Sequence, residues 1–100
     1  MEIGKKYDNG KPNYVNMLVG FPFGLNQVAN LYEFGANKYG LENWKLVQNG
    51  KIRYLNALLR HTFAHCRGEL KDPESGLPHL CHAAWNCLAL LQLHENDYAE

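Results

Sequence analysis

The sequence has few of the features that mark secreted or membrane-spanning proteins. Its three cysteines are an odd number and form no CxxC motif, so neither a disulfide framework nor a cysteine-based zinc site is expected. No apolar run approaches the roughly 18 residues that a membrane span needs, and the first residues do not resemble a signal peptide. We therefore expect a cytoplasmic protein whose cysteines are reduced and mostly buried.

The sequence also lacks an excess of charge of either sign. Ten Lys and Arg residues balance ten Asp and Glu residues, and the sequence pI is about 7.0. Because no net positive field would gather phosphates over the whole surface, bulk binding of nucleic acid is not expected. With 46% hydrophobic and 20% charged residues, the composition is that of a globular domain, and residues 1–100 are expected to form a single domain.

The zero net charge conceals a division along the chain. Residues 1–60 carry eight basic and four acidic side chains, whereas residues 61–100 carry two basic and six acidic ones. All five histidines lie in the second segment. Cationic groups that suit phosphate are therefore separated from groups that bind metals or protons. This division predicts two walls of one phosphate-binding pocket.

Hydrophobic periodicity predicts an all-α fold, with three to four helices in a bundle behind an irregular N-terminal segment. Glycine, proline and an Asp-Asn-Gly turn signal predict an extended arm or loop over residues 1–22. Apolar spacing predicts helices over residues 25–36, from about 51 to 66 and from Pro78 to about His94. Residues 41–50 are expected to form a short helical turn or loop.

The third predicted helix is the most informative part of the chain. Residues 80–93 include only three polar side chains, so this helix is expected to be buried. His79, His82 and Asn86 fall on one narrow stripe of it. Buried polar groups need partners, because each unmet one costs about 1–3 kcal/mol. Two other helices cannot cover so apolar a helix, and at least a dimer is expected.

The second predicted helix carries two polar stripes. His61 and His65 are four residues apart and share one face, which small alanines border. Arg53, Asn56 and Arg60 form another stripe, about 100–140° away around the helix. The small side chains between the stripes leave room for a close helix contact or for a ligand.

Three interpretations of these stripes stay open. The histidines, with Asp72 or Glu74 from the preceding loop, could bind a metal ion. Alternatively, His and Asn side chains donate to phosphate oxygens while Lys38, Arg53 and Arg60 supply positive charge. The third possibility is a buried hydrogen-bond network that fixes the helix register. The zincin motif HExxH and a His-Asp doublet are both missing from the sequence.

Two further side chains have alternative roles. Glu33 on the first predicted helix could bind a cation or pair with Lys38. Ser75 precedes His79 by four residues, but we expect it to cap the third helix rather than to act as a nucleophile.

Five segments together resemble a family of phage proteins, the one named for the N-terminal domain of dATP/dGTP diphosphohydrolases. The segments are K-Y-D-N-G-K-P (6–12), F-G-A-N-K-Y-G (34–40), N-W (43–44), L-L-R-H (58–61) and D-P-E-S-G-x-x-H-x-x-H-A-A-W-N (72–86). They occur in order and span about residues 5–92. The resemblance implies an all-α, phage-encoded protein in the host cytoplasm that cleaves purine deoxynucleoside triphosphates to monophosphate and pyrophosphate, with magnesium, as MazG-like helical enzymes do.

The resemblance also implies a set of site residues. Phosphate or nucleotide would be bound by Lys38, Arg53, Arg60, His61, His79, His82 and Asn86. A general base would be His65 or Glu74, and the acidic candidates for magnesium or another divalent metal are Glu33, Asp72 and Glu74. Two other functions remain open from the sequence: a module that sequesters a nucleotide-derived immune signal without cleaving it, and a purely structural helical oligomer.

Overall fold

The computed structural model describes residues 2–99, and all of their regular structure is helical apart from one isolated β-bridge. The elements are α1 (Tyr14–Gly20), α2 (Pro22–Tyr39), a 3₁₀ helix (Asn43–Leu46), α3 (Gly50–Cys66), α4 (His79–Leu93) and α5 (Glu95–Tyr98). The predicted all-α bundle behind an irregular N-terminal segment is confirmed. Within residues 2–99, no helix combines the length and apolar character needed to cross a membrane.

The N-terminal segment contains a helix that the sequence did not predict. Residues 1–22 were expected to be extended, but α1 occupies part of that range. The Asn13 side chain accepts a hydrogen bond from the Asn16 amide at 2.9 Å and so caps the first turn. Pro22 then begins α2 at its first position, where a missing N–H costs nothing. Turn residues on both sides of this short apolar stretch concealed its helical character.

Helices α3 and α4 form an antiparallel hairpin. Gly50 at the start of α3 lies beside Leu93 at the end of α4, and α3 ends where the Gly68 backbone takes a φ of 93°. The Gly68 and Glu69 amides there donate to the carbonyls of His65 and Ala64 at 2.9 and 3.0 Å. These bonds form a Schellman cap, and the chain reverses its direction after it.

The two ends of the loop before α4 pair with each other. Lys71 and Pro78 form the antiparallel bridge. Pro78 occupies the N-cap position, so α4 begins at His79, one residue later than predicted, and no side chain caps this helix. The expected capping role of Ser75 is therefore wrong: its hydroxyl accepts from the Leu77 amide at 3.2 Å and lies beside His82 instead. The side chain stabilises the loop rather than the helix end.

Helix α4 packs against α3 on one side and α2 on another. Its buried side chains include Cys81 and Ala89, which together with Leu31 of α2 and Ala64 of α3 are the buried apolar residues of the small core within residues 2–99. The expected burial of the whole helix is wrong for the single chain. Leucines on the side away from α2 and α3 are exposed, Leu91 by 58%, because two helices cannot surround a third.

The three cysteines were expected to be mostly buried, and this is also wrong. Only Cys81 is buried, and its thiol donates to the Gln27 carbonyl at 3.0 Å. Cys66 and Cys87 are exposed free thiols. Both lie on helix faces that no other described element covers, a consequence of tertiary packing that residue type does not reveal.

An aromatic cluster joins the 3₁₀ helix to the hairpin. The rings of Trp44, Tyr54 and Trp85 meet edge to face, with centroids 5.6–6.4 Å apart. The Tyr54 hydroxyl also donates to the Trp44 carbonyl at 2.6 Å. This cluster holds the connection between α2 and α3 against α4 and forms one wall of a groove.

Candidate functional site

A groove of about 830 Å³ lies between α2, the 3₁₀ helix and the α3–α4 hairpin. It brings together most of the residues that the sequence singled out. The predicted site residues in its lining are Lys38, Arg53, Arg60, His61, Glu74, His82 and Asn86. They come from α2, α3, the preceding loop of α4 and α4 itself, so the groove depends on the tertiary fold.

The basic part of the groove is formed by one face of α3. Arg53, Asn56 and Arg60 recur at helical spacing, and all three line the groove as the predicted stripe. Arg53 also donates to the Gln48 carbonyl at 3.4 Å. Two guanidinium groups on one helix face suit a phosphate chain, because each can donate two parallel hydrogen bonds to its oxygens.

Lys38 crosses from α2 to the loop before α4. It forms an ion pair with Glu74, and the hydrogen bond to this carboxylate raises the lysine pKa above its ordinary value. The ammonium also lies 5.0 Å from the centre of the Tyr39 ring. Glu33, which the sequence offered as a partner of Lys38, is exposed and does not line the groove, and Lys38 pairs with Glu74 instead.

Three histidines meet where α3 and α4 approach each other. The Nδ1 atoms of His61 and His79 are 2.8 Å apart. The His61 ring also stacks on His82, with centroids 4.2 Å apart and planes 13° from parallel. Burial, together with the neighbouring imidazoles, lowers the pKa of His61 to about 4, and burial lowers the pKa of His82 as well. Both rings are therefore neutral near pH 7.

A loop carboxylate and hydroxyl complete this cluster. The Ser75 amide donates to the Asp72 carboxylate at 2.8 Å, and the Ser75 hydroxyl lies 2.7 Å from His82 Nε2. The same nitrogen is 3.6 Å from Asp72 Oδ2. Burial opposes ionisation of Asp72, but the Ser75 hydrogen bonds and the nearby imidazoles outweigh it, so its pKa lies below the ordinary value. An anionic carboxylate thus faces neutral rings.

These donors do not suit the magnesium ion that the resemblance implies. Within residues 2–99, one group of side chains has its potential ligand atoms within 4.8 Å of one another, and it consists of His61, Asp72 and His79. Magnesium requires oxygen ligands in near-octahedral geometry. Of the three predicted acidic ligands, only Asp72 belongs to this group, while Glu74 pairs with Lys38 and Glu33 is exposed.

The remaining predicted residues occupy less central positions. Asn86 is buried, and its side-chain amide donates to the His82 carbonyl at 2.8 Å. His79 is buried behind His61 and does not line the groove. His65, the predicted general base, is half-buried on α3 outside the groove lining. The roles of all these residues stay predictions.

Sequence reasoning missed the aromatic wall of the groove. Tyr32, Trp44, Tyr54 and Trp85 all line it, although they come from four separate elements. Trp44 and Trp85 lie in segments that contributed to the family resemblance, and these were the signals that pointed towards the wall. No periodic pattern connects the rings, because their proximity arises from packing between helices.

Comparison with known proteins supports the resemblance. The family model described as "dATP/dGTP diphosphohydrolase, N-terminal" matches residues 1–100. A dATP/dGTP diphosphohydrolase of Salmonella phage PMBT28 is 34% identical over 94 residues, which cover 93% of this chain. The match covers 30% of that relative's length. No solved structure matches. The chain belongs to the family of dATP/dGTP diphosphohydrolase N-terminal domains.

Proposed function

We propose that this domain binds a purine deoxynucleoside triphosphate in the groove and takes part in its cleavage to monophosphate and pyrophosphate. The observation that carries the proposal is the composition of one groove, in which Lys38, Arg53 and Arg60 share a lining with aromatic rings. The name of the phage relative, dATP/dGTP diphosphohydrolase, supports the same substrate class. Because the match covers less than a third of that relative, its activity is a proposal for this chain.

The triphosphate would occupy the basic part of the groove. The guanidinium groups of Arg53 and Arg60 are planar and permanently charged. Lys38 provides a third cation, which Glu74 holds in place through the ion pair. A triphosphate could then compete with Glu74 for this ammonium, since both present anionic oxygens. Substrate binding would thereby release a carboxylate into the groove.

The base would lie on the aromatic wall. Trp44 and Trp85 meet edge to face, and with Tyr32 they leave apolar surface along the groove. Aromatic rings bind nucleobases by stacking, which contributes about 1–3 kcal/mol per base. A purine presents a larger ring surface than a pyrimidine, so this wall favours the substrates that the relative's name gives.

Cleavage by water requires a group that accepts a proton. Three such groups line the groove: His61, His82 and Glu74. Of the two bases predicted from the sequence, Glu74 is therefore among the residues that can reach a bound nucleotide. His65 lies outside the lining, so we assign proton transfer to His82 or Glu74 instead.

The proposal is tested by separating binding from turnover. The purified chain is titrated with dATP, dGTP, dCTP and dTTP, and the products are then resolved after incubation with Mg²⁺, Mn²⁺, Zn²⁺ or no metal. We expect binding of the purine nucleotides and release of pyrophosphate from them. Binding followed by recovery of intact nucleotide would instead indicate a sequestering module. Failure to bind any of the four nucleotides would contradict the proposal altogether.

We further infer that two copies of the chain pair through the outer face of α4, defined by Leu80, Ala84, Cys87 and Leu91. All four side chains are exposed and lie at the 4-3-4 spacing of a coiled-coil seam. The order of large residues at both ends and small ones in the middle is the same in both directions, so the seam can face its own copy across a two-fold axis. No charged residue occurs between His79 and Leu93.

The solvent-exposed area of the single chain also supports its pairing with a second copy. The chain exposes 8191 Å², whereas a compact protein of this mass exposes about 5,800 Å². A standard interface buries roughly 800 Å² on each partner. Part of the excess belongs to the extended N-terminal residues, and the exposed leucines of α4, including Leu80 and Leu91, add apolar surface that a second copy could cover.

A further inference from the structure

The cluster at the base of the groove has the donor chemistry of a metal site. Two imidazole nitrogens, His61 Nδ1 and His79 Nδ1, lie 2.8 Å apart. Asp72 contributes an oxygen within the same 4.8 Å neighbourhood. Adjacent nitrogen ligands of a zinc-like ion, each at about 2.0–2.1 Å from it, are separated by roughly 3 Å. These nitrogens therefore need to move only slightly to share one ion.

We propose that His61, His79 and Asp72 bind a divalent first-row transition ion, such as Zn²⁺ or Co²⁺, rather than Mg²⁺. Imidazole suits these ions, whereas magnesium selects oxygen ligands. The site lies directly behind the groove, because His61 belongs to both. The chemical use of the ion rests on the proposed function, whereas its binding is tested with the metal alone.

The environment of His79 supports the proposal independently. This side chain is 5% exposed, and its Nε2 atom is buried without a hydrogen-bond partner. Glu69 Oε1 lies 3.6 Å from that nitrogen, just beyond hydrogen-bond range. Metal-bound histidines commonly donate their second N–H to a carboxylate, which fixes the ring and its tautomer. Coordination through Nδ1 would leave the proton on Nε2, directed at Glu69.

The third ligand is held in place before any ion arrives. Asp72 accepts from the Ser75 amide, and its own amide donates to the Leu77 carbonyl at 2.9 Å. His82 stacks on the ring of His61 and restricts the rotation of that ring. A preformed set of ligands binds an ion at a lower cost in conformational entropy. A hydrogen-bond network alone would use the same contacts, but it would not retain an ion.

The experiment uses the full chain, stripped with EDTA and dialysed, with Co²⁺ as a visible probe and Zn²⁺ as competitor. We expect one Co²⁺ per chain, a ligand-field absorption band that Zn²⁺ abolishes, and no competition from millimolar Mg²⁺. His61→Ala and Asp72→Asn should each weaken binding by at least about 10- to 100-fold, and Glu69→Gln should weaken it less. His94→Ala is the matched control, since His94 pairs with Asp97 at the far end of α4.

Helical circular dichroism identifies any variant that fails to fold, and Asp72→Asn is the substitution that best preserves side-chain shape. An unchanged Co²⁺ spectrum in both His61→Ala and Asp72→Asn would overturn the proposal, as would equal affinity for Mg²⁺ and Zn²⁺. If the chain binds Co²⁺ as expected but neither binds nor cleaves nucleotide, the result contradicts the proposed function and supports the metal site.

Discussion

His61 on α3 and His79 on α4 face each other through their Nδ1 atoms at 2.8 Å. A hydrogen bond between two imidazole nitrogens needs one N–H and one lone pair. One of the two Nδ1 atoms therefore carries a proton and the other does not. Both rings cannot carry a proton there at once. The contact therefore joins the two helices only while one of these nitrogens stays unprotonated, a condition that neutral histidines meet.

Arg60→Gln should weaken nucleotide binding. The substitution removes a permanent charge from the groove while retaining most of the side-chain length. Charge-assisted hydrogen bonds contribute about 1.5–3 kcal/mol, so we expect the Kd for a non-hydrolysable purine triphosphate analogue to rise about 10- to 100-fold. Calorimetric titration gives the value. The control is Arg67→Gln, because Arg67 lies just beyond the end of α3 and outside the groove lining. This variant should bind the analogue with the Kd of the unchanged protein. An equal rise in Kd in both variants would contradict a role of Arg60 in binding.

Tyr54→Phe should destabilise the fold modestly. The change deletes the hydroxyl that donates to the Trp44 carbonyl at 2.6 Å and leaves the ring cluster otherwise intact. We expect the free energy of unfolding in urea to fall by about 0.5–1.5 kcal/mol. Tyr7→Phe serves as the control, because Tyr7 is 81% exposed and its hydroxyl remains in water. A loss in the control as large as in Tyr54→Phe would show that the bond contributes nothing specific.

Cys81 should react with disulfide reagents much more slowly than Cys66. Burial raises the pKa of the Cys81 thiol, and the thiolate is the reactive form, so less of it exists at any given pH. The rate at Cys81 should therefore keep rising at pH values above the ordinary pKa of a thiol. Mass spectrometry of the labelled chain distinguishes the two cysteines, and unfolding in urea should make their labelling rates equal. Rapid labelling of Cys81 in native buffer would contradict the packing of α4 against α2.

Leu91→Glu should convert the proposed dimer to a monomer. The substitution places charge at the end of the outer face of α4, where pairing would bury it without a partner. Light scattering at micromolar concentration should then give the mass of one chain. Leu46→Glu is the control, since Leu46 is 81% exposed on the 3₁₀ helix, and it should keep the dimeric mass. A parent chain that is already monomeric would contradict the pairing.

Local signals in the sequence predicted the long helices and the polar stripes. Periodic apolar residues and a terminal glycine located α3, and helical spacing alone put Arg53, Arg60 and His61 on neighbouring faces. Those side chains line one groove because the helix geometry carries them there. The Asp72–Asn86 string likewise identified the loop and helix that supply the histidine cluster.

Tertiary contacts account for what the sequence did not predict. Ser75 bonds within its loop and beside His82 rather than at a helix end, because the loop folds back through the Lys71–Pro78 bridge. The pairing of Lys38 with Glu74 spans 36 residues. Such relationships depend on how α2 and the loop approach α4, and no local propensity encodes that approach.

The histidine cluster lies inside one helical hairpin, from His61 to His82. Its members are close along the chain as well as in space, and structures of this kind assemble quickly because little loop entropy opposes them. The hairpin thus contains all three rings of the cluster, while α2 packs against α4 from outside it. Tyr54 and Trp85 of the aromatic wall belong to the same hairpin, whereas Lys38, Tyr32 and Trp44 come from α2 and the 3₁₀ helix. Substitutions in those two elements would therefore change the groove lining while the hairpin keeps its histidines.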